Sequence, residues 1–170
     1  MQARFYLFGA QAAALHGSTR MSADADVTLL LPVDTTALLA ALAGRDFAPR
    51  VKDEGFLRAT RVLPVWHAAT RMPIDLVLGD SGLEYAAYER ATRRRIGGRV
   101  WRVASPSDVV VMKVLAGRSK DEEDVRAIVA AQRARRPGVE MTYVEETLLA
   151  LEEAIDEAGL VDRWRAWSRR

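Results

Sequence analysis

Two aspartates spaced two residues apart, Asp24 and Asp26, are the feature that most constrains this chain. They stand at the start of the stretch 25–31, in which apolar side chains recur at every second position as in a strand. In an extended strand such residues point to the same face, so the two carboxylates lie side by side. Neighbouring carboxylates repel each other unless a cation lies between them, and hard oxygen ligands suit Mg²⁺. The pair therefore predicts a metal site; the alternative is a solvated start of a strand.

The segment before the aspartates predicts a phosphate-binding turn. Residues 3–8 form a short apolar and aromatic run typical of a buried strand, and Gly9 follows it directly. Residues 10–16 are rich in alanine and favour a helix. Backbone N–H groups at the start of a helix are a common site for phosphate. Together, the turn and the aspartates predict a metal-dependent site for a nucleoside triphosphate.

A third aspartate lies later in the chain, in the apolar strand predicted over 72–78. Asp75 points away from its neighbours Ile74 and Leu76, and a carboxylate in so apolar a strand needs a partner because an unpaired buried charge is costly. If this strand lies beside that of Asp24 and Asp26, three carboxylates line one face. Such a trio would hold two Mg²⁺ ions that clamp a triphosphate for in-line displacement.

The chain length and the order of the predicted elements indicate an α+β fold in two parts. A chain of 170 residues with 49% hydrophobic and 28% charged residues is typical of one globular domain or two small lobes. We expect a catalytic lobe over 1–104, with a small mixed sheet flanked by helices. A helical C-terminal lobe over 105–170 begins at Ser105, a helix cap followed by proline.

Several local predictions bear on the lobes. We expect strands over 47–51, 56–63 and 72–78, a basic strand pair over 93–103 broken at Gly97, and a capping box at Thr142 with Glu145.

Composition also bounds the cellular setting. The chain contains no cysteine, which excludes disulfides and thiolate metal sites and fits a cytoplasmic protein. No apolar run approaches the roughly 20 residues of a membrane helix, and no secretory signal is expected at the N-terminus. We therefore expect no membrane association.

Arginines cluster in two stretches although the net charge is only +2. Such clusters are either solvated surface or contacts to nucleic acid or polyphosphate. The clusters comprise Arg93, Arg94, Arg95, Arg99 and Arg102, and then Arg133, Arg135 and Arg136.

The order of these motifs resembles the polymerase beta-like nucleotidyltransferases: a glycine turn and helix, then Asp-x-Asp, then a third aspartate on a later strand. More specifically, the chain is similar to the minimal nucleotidyltransferases of the AbiEii-like toxin group over about residues 5 to 130. The residues that carry this likeness are Gly9, His16-Gly17, Arg20, Ser22, Asp24 and Asp26, then Ser105-Pro106-Ser107-Asp108, Lys113, Ala116-Gly117-Arg118, Lys120-Asp121 and Asp124.

The resemblance implies Mg²⁺-dependent transfer of a nucleoside monophosphate from an NTP, for example ATP, to an acceptor, with release of pyrophosphate. Asp24, Asp26 and Asp75 would bind two Mg²⁺ ions, for which Mn²⁺ is a substitute, and Asp75 would also help to deprotonate the acceptor hydroxyl. Gly9 and Ala10 would offer backbone N–H groups to the phosphates. Ala10 departs from the family's usual Gly-Ser or Gly-Gly, and unlike the serine it has no hydroxyl to donate to a phosphate.

The same resemblance assigns nucleotide-binding roles to Arg20, Ser22, Lys113, Arg118 and Lys120. Each cation has a plainer alternative. Arg20 neutralises the aspartate pair or contacts a phosphate; Lys113 extends from a half-buried helix face to solvent or binds the triphosphate. Arg118 and Lys120 are solvated loop residues or join Lys113 there.

Three further residues are candidates for supporting roles around the site. Asp121 and Asp124 either occupy a favourable first helical turn or pair with Lys113 or Arg118 to position them. His16 either satisfies carbonyl groups at the end of its helix or faces the nucleotide.

The acceptor stays open at this point: an RNA or tRNA 3′ end, a protein hydroxyl, or a small molecule such as an aminoglycoside or lincosamide. The resemblance implies a toxin with an antitoxin partner. One alternative is a non-catalytic nucleotide-binding module, antitoxin-like or regulatory. Another is an RNA-binding protein that uses residues 93–102 alone.

Overall fold

Strands and helices alternate through the first hundred residues, and helices alone follow them. A computed structural model describes residues 4–30, 35–51, 53–135 and 138–169. The elements are β1 (Arg4–Phe8), α1 (Gly9–His16), β2 (Ala25–Leu30), α2 (Thr35–Ala43), β3 (Phe47–Pro49), α3 (Glu54–Thr60), β4 (Val62–His67), β5 (Met72–Leu78), α4 (Gly82–Arg90), β6 (Thr92–Ile96), β7 (Arg99–Val103), α5 (Pro106–Ala116), α6 (Ser119–Gln132), α7 (Met141–Ile155) and α8 (Leu160–Ser168). The predicted α+β class is confirmed.

The described strands form one mixed sheet in the order β3-β4-β5-β2-β1-β7-β6. Strand β2 lies in its centre, antiparallel to β1 and parallel to β5. Strand β7 is parallel to β1 and antiparallel to the edge strand β6. The predicted strand pair over 93–103 is therefore a hairpin at one edge of the sheet.

One face of the sheet is apolar and forms a core with helices α2 and α3. Leu63 of β4 and Leu76 of β5 are paired and buried there together with Val65. Partly buried side chains pack against these three, namely Val27, Leu29, Leu38, Leu39, Leu42, Phe47, Leu57 and Ile74. Full burial of a side chain such as Leu63, Val65 or Leu76 is worth about 1.5–3 kcal/mol. Because strand residues alternate, the residues between them, including Asp26 and Asp75, point to the opposite face.

Two local predictions are wrong. Residues 56–60 belong to helix α3 rather than to a strand, because the side chain of Asp53 caps the helix by accepting a hydrogen bond of 2.8 Å from the N–H of Gly55. The apolar residues of 56–63 suit either structure, and the cap decides between them. Helix α7 begins at Met141, with Glu140 as its N-cap residue and no side-chain capping bond, so Thr142 and Glu145 do not form a capping box.

Some predicted features lie outside the described residues. The sequence predicts Pro32 as the end of the strand over 25–31, Asp34 as the cap of a helix over 35–42, and a turn at Pro137-Gly138; Pro32, Asp34 and Pro137 lie outside the described residues, as does Arg136 of the second arginine cluster.

The chain divides into two compact units. The sheet unit consists of Met1–Gln11 and Ser22–Val103, and the helical unit of Ala12–Met21 and Ala104–Arg170. The segment 12–21, which the predicted lobe 1–104 includes, thus groups with the C-terminal helices.

Buried contacts explain why the segment 12–21 belongs to the helical unit. The Nε2 atom of His16 lies 2.7 Å from the carbonyl oxygen of Ala104, and Gln132 donates a hydrogen bond of 2.7 Å to the carbonyl of His16. Gly17 lies so close to Ala131 that a Cβ atom at position 17 would be 2.2 Å from the Cβ of that alanine. The segment is therefore held along α6 by close backbone approach.

Helices α5 to α8 bury the core of the helical unit. Its largest fully buried side chains include Ile128, Leu148, Leu160 and Trp164. Among the described residues, no helix has the length and apolar character needed to cross a membrane.

Candidate functional site

The three predicted metal ligands come together on one face of the sheet unit. Parallel pairing of β2 with β5 sets Asp26 directly opposite Asp75, and Asp24 lies two residues before Asp26 on the same face. One carboxylate oxygen from each of the three lies within 4.8 Å of the other two. All three side chains are partly exposed. The condition for convergence, that the two strands are neighbours, is met.

Gly9 shapes one side of this acidic triad (Asp24, Asp26 and Asp75). Its φ angle is +63°, a conformation that favours glycine, and a Cβ atom at this position would lie 1.9 Å from Oδ2 of Asp26. Helix α1 begins at the same residue. The positive end of its dipole therefore lies beside the Asp26 carboxylate, where it stabilises negative charge.

Two polar side chains fix the loop that enters β2. The Ser22 hydroxyl donates a hydrogen bond to Oδ1 of Asp24. Gln11 donates from Nε2 to the carbonyl oxygens of Ser22 and Asp24, at 2.8 Å and 3.3 Å. Gln11 is not identified as a site residue in the sequence analysis. Its only distinguishing feature in the sequence is that it is a polar residue inside an alanine-rich helix. It positions Asp24 through the backbone.

Arg50 is the second residue that sequence reasoning missed. Its Nη2 donates to Oδ1 of Asp75, and its guanidinium lies 5.4 Å from the centre of the Trp66 ring. The N–H of Arg50 donates to the carbonyl of Pro64 at 2.8 Å, which places the residue beside β4. No local pattern marks Arg50, because only the pairing of β4 with β5 brings it to Asp75.

The donor set of the acidic triad fits a divalent cation. Carboxylate oxygens are the ligands that Mg²⁺ prefers, and Mg²⁺ usually keeps several waters, which partly exposed ligands permit. Three carboxylates this close also repel one another, and Arg50 offsets part of that charge. Asp24, Asp26 and Asp75 could therefore hold a metal ion.

A second charged cluster lies inside the helical unit. Lys113 of α5 is 4% exposed and donates from Nζ to Asp121 at 3.0 Å and to Asp124 at 2.6 Å. Those two α6 carboxylates are 0% and 1% exposed. Burial without a partner is expensive for each of these charges, so they stabilise the fold only as a set. Both aspartates thus pair with Lys113, as one alternative predicts, and Asp121 also lies in the first turn of α6, as the other predicts.

Two arginines complete the buried cluster from its rim. Arg20 donates to Asp124 at 2.9 Å and Arg118 donates to Asp121 at 2.6 Å, with side chains 29% and 58% exposed. The Ser18 hydroxyl also donates to Asp124. Asp121 and Asp124 therefore link three of the predicted nucleotide-binding cations, namely Arg20, Lys113 and Arg118.

Hydrogen bonds hold both buried aspartates ionised. Burial alone would raise the pKa of Asp124, but hydrogen bonds from Arg20, Lys113 and Ser18 outweigh it and lower the pKa of this carboxyl to about 2. Burial acts in the same way on Asp121, and hydrogen bonds from Arg118 and Lys113 again lower its pKa below the ordinary value.

The remaining predicted site residues differ in exposure. Lys120 is exposed at the start of α6, whereas His16 is 1% exposed and contacts the Ala104 carbonyl. Ala10 lies in the first turn of α1, next to Gly9.

A mixed sheet that carries three clustered carboxylates beside a glycine turn is the arrangement that the sequence resemblance predicts for a nucleotidyltransferase. The chain belongs to the family described as nucleotidyl transferases of unknown function (DUF2204), whose model matches residues 77–163, about half of the chain. Membership of the nucleotidyltransferase superfamily is thereby confirmed. The matched segment begins after Asp75, so it contains none of the three carboxylates.

Solved structures share the fold. The solution structure of the antibiotic-resistance factor ANT(2″)-Ia is 12% identical with a TM-score of 0.56, and the match covers 91% of this chain and 86% of that one. An antigenic nucleotidyltransferase-like protein from Paracoccidioides brasiliensis is 19% identical with a TM-score of 0.52, over 96% and 85% of the two chains. No curated protein sequence matches significantly.

The close approach of Gly9 to Asp26 predicts a large cost for any side chain at position 9. We expect Gly9→Ala to lower the free energy of unfolding by about 2 kcal/mol or more, from the left-handed backbone and the overlap with the carboxylate. Gly82→Ala is the matched control, since a Cβ there has no atom within 4 Å. Urea unfolding of both variants measures the difference; equal stabilities would contradict the close contact.

The lowered pKa of Asp124 predicts a loss of stability in acid. Its unfolded pKa is near 3.8, so the unfolded chain binds more protons and stability falls as pH falls from about 4 towards 2. Between pH 5 and pH 3, protonation of this carboxyl lowers the free energy of unfolding by about 1 kcal/mol. Asp124→Asn should lose that part of the pH dependence, whereas Asp162→Asn, at an exposed position, should keep it.

Urea unfolding at the two pH values measures this effect in all three proteins. An NMR titration of the Asp124 carboxyl in the unmutated protein gives the pKa directly if the variant does not fold. A value near 4 would show that the buried cluster does not act on Asp124.

Proposed function

We propose that this protein is a divalent-metal-dependent nucleotidyltransferase that moves a nucleoside monophosphate from an NTP to an acceptor hydroxyl. The observation that carries the proposal is the acidic triad, whose ligand oxygens lie within 4.8 Å of one another. Carboxylates this close raise the electrostatic cost of ionising one another, and a bound cation would offset that cost. A bound Mg²⁺ would neutralise the triad and polarise the phosphates.

In the proposed reaction, the acceptor oxygen attacks the α-phosphorus of the NTP. A new bond forms between phosphorus and the acceptor oxygen, and the bond between the α-phosphorus and the bridging oxygen of the β-phosphate breaks, so pyrophosphate leaves. The hydroxyl proton passes to Asp75, the carboxylate predicted to act as the base. Gly9 and Ala10 would bind phosphate oxygens through their backbone N–H groups, a contact for which Ala10 needs no side chain.

The predicted roles of Arg20, Ser22, Lys113, Arg118 and Lys120 in nucleotide binding remain part of this proposal. The buried ion pairs give Lys113 a structural role, whereas Lys120 and part of the Arg118 side chain are accessible to solvent. A cytoplasmic location and a toxin role with an antitoxin partner also remain predictions.

Replacing one carboxylate of the triad tests the proposal. Asp26→Asn should reduce transfer of label from an α-³²P-labelled NTP by at least about 100-fold, because it removes a metal ligand without changing side-chain volume. Asp80→Asn is the control, since Asp80 lies in the sheet unit, is 63% exposed and pairs with Arg61. Label transfer to total RNA, to protein and to an aminoglycoside identifies the acceptor.

Two further measurements separate a lost metal site from a lost fold. Mn²⁺ binding, followed by electron paramagnetic resonance, should weaken in Asp26→Asn and not in Asp80→Asn. The metal-free Asp26→Asn protein should be at least as stable as the parent, because one of three repelling charges is gone. Full activity of Asp26→Asn would refute the metal assignment, and tight NTP binding without turnover in the parent protein would favour the non-catalytic alternative.

A further inference from the structure

The hairpin formed by β6 and β7, residues 92–103, carries an unusual concentration of positive charge. It contains five arginines and no acidic residue. Arg93, Arg94, Arg95 and Arg99 are exposed. Among the described residues, none of these four forms an ion pair with a carboxylate, and the hydrogen bond of Arg95 goes to the carbonyl of Gly98 within the same hairpin. We call these residues the basic hairpin.

Its register places like charges against one another. Arg93 lies directly opposite Arg102, and residues opposite each other in an antiparallel pair share a face. Arg102 is held in place by stacking on Tyr88, 4.5 Å from the ring centre, and by a hydrogen bond of 3.3 Å to the Tyr88 carbonyl. Like charges opposite each other are destabilising, so the fold alone does not account for this arrangement.

Protection of the sheet edge explains only part of the charge. Charged side chains on an edge strand such as β6 prevent pairing with other chains. Arg99 and Arg102 lie on β7, however, which is already paired on both sides with β1 and β6. All five cations are arginine, whose planar fork matches phosphate geometry in a way that lysine does not.

The basic hairpin shares its sheet, and in part its face, with the acidic triad. Phe8 is paired with Asp26, and Leu7, which points to the other face, is paired with Val103. Alternation then puts Arg93, Arg95 and Arg102 on the face of Asp26. Strand β6 is three strand spacings from β2, which is about 14 Å. A row of cations thus lies within the reach of a few nucleotides from the predicted metal site.

We propose that the basic hairpin binds the sugar–phosphate backbone of a single-stranded nucleic acid whose end supplies the acceptor hydroxyl. The acceptor role of the strand rests on the proposed function, whereas binding of the strand to the basic hairpin does not. A single strand is favoured because the hairpin is built into the sheet through β7 and is not a free ribbon able to enter a duplex groove. A cationic acceptor such as an aminoglycoside has the wrong charge for this surface.

Binding is tested without metal or NTP, by fluorescence anisotropy with a labelled single-stranded RNA, with DNA of the same sequence, and with a glutamate peptide of equal charge. The test variant replaces Arg93, Arg94 and Arg95 with glutamine. The matched control replaces Arg45, Arg58 and Arg71, three exposed arginines of the same unit, in the same way. Both variants lose three positive charges.

We expect the test variant to bind RNA or DNA about 10- to 100-fold more weakly at 0.1 M salt, and its salt slope to fall by about 2. The control variant should bind like the parent. Comparison of the RNA with the DNA of the same sequence identifies which type of nucleic acid is bound more tightly. Equal losses in the two variants, an unchanged affinity, or equal binding of the glutamate peptide would overturn the proposal.

A transfer assay with the same strand separates this inference from the proposed function. Asp26→Asn should bind the strand normally and transfer nothing to it. If the parent protein binds through the basic hairpin but transfers no label, the proposed function fails and the binding surface stands. If the parent transfers label and the basic-hairpin variant transfers it equally well at low strand concentration, the inference fails and the enzyme stands.

Discussion

The parallel pairing of β2 with β5 is the constraint on which the site depends. It sets Asp26 opposite Asp75, and the alternation of a strand adds Asp24 on the same face. The result is a concentration of negative charge that the sheet unit must offset. It does so with the start of α1 at Gly9 and with the guanidinium of Arg50.

The helical unit contains the opposite feature, a buried cation, and also offsets it with groups of opposite charge. Lys113 lies in the core, where an unpaired ammonium would be costly to bury. Asp121 and Asp124 both pair with it, and from the rim Arg20 pairs with Asp124 and Arg118 with Asp121. Removing one member leaves others unpaired, so these residues act as one group.

The sequence predicted what depends on local pattern and missed what depends on distant pairing. The alternation around Asp24 and Asp26 and the Ser105 cap of α5 are local, and both predictions hold. The proximity of Asp75 required knowledge that β5 lies beside β2, which sequence alone did not supply. Residues 56–60 were wrongly predicted as a strand because their apolar side chains suit both structures.

The roles of Arg50 and Gln11, the two residues that the sequence analysis does not identify, also depend on contacts between distant parts of the chain. Arg50 lies in the predicted strand 47–51, directly after the observed strand β3, and its contact with Asp75 arises from the pairing of β4 with β5. Gln11 acts on backbone carbonyls of a loop more than ten residues away. Neither residue lies in a sequence motif, because each acts on another part of the site through the fold.

In the proposed metal site, the pairing of Arg50 with Asp75 would make cation binding an exchange of charges. A cation that arrives there meets a carboxylate already engaged on one oxygen by the protein's own guanidinium. At the proposed site, the free energy of metal binding would then be the difference between neutralisation by the metal ion and neutralisation by Arg50. The same arginine offsets part of the repulsion among the three carboxylates.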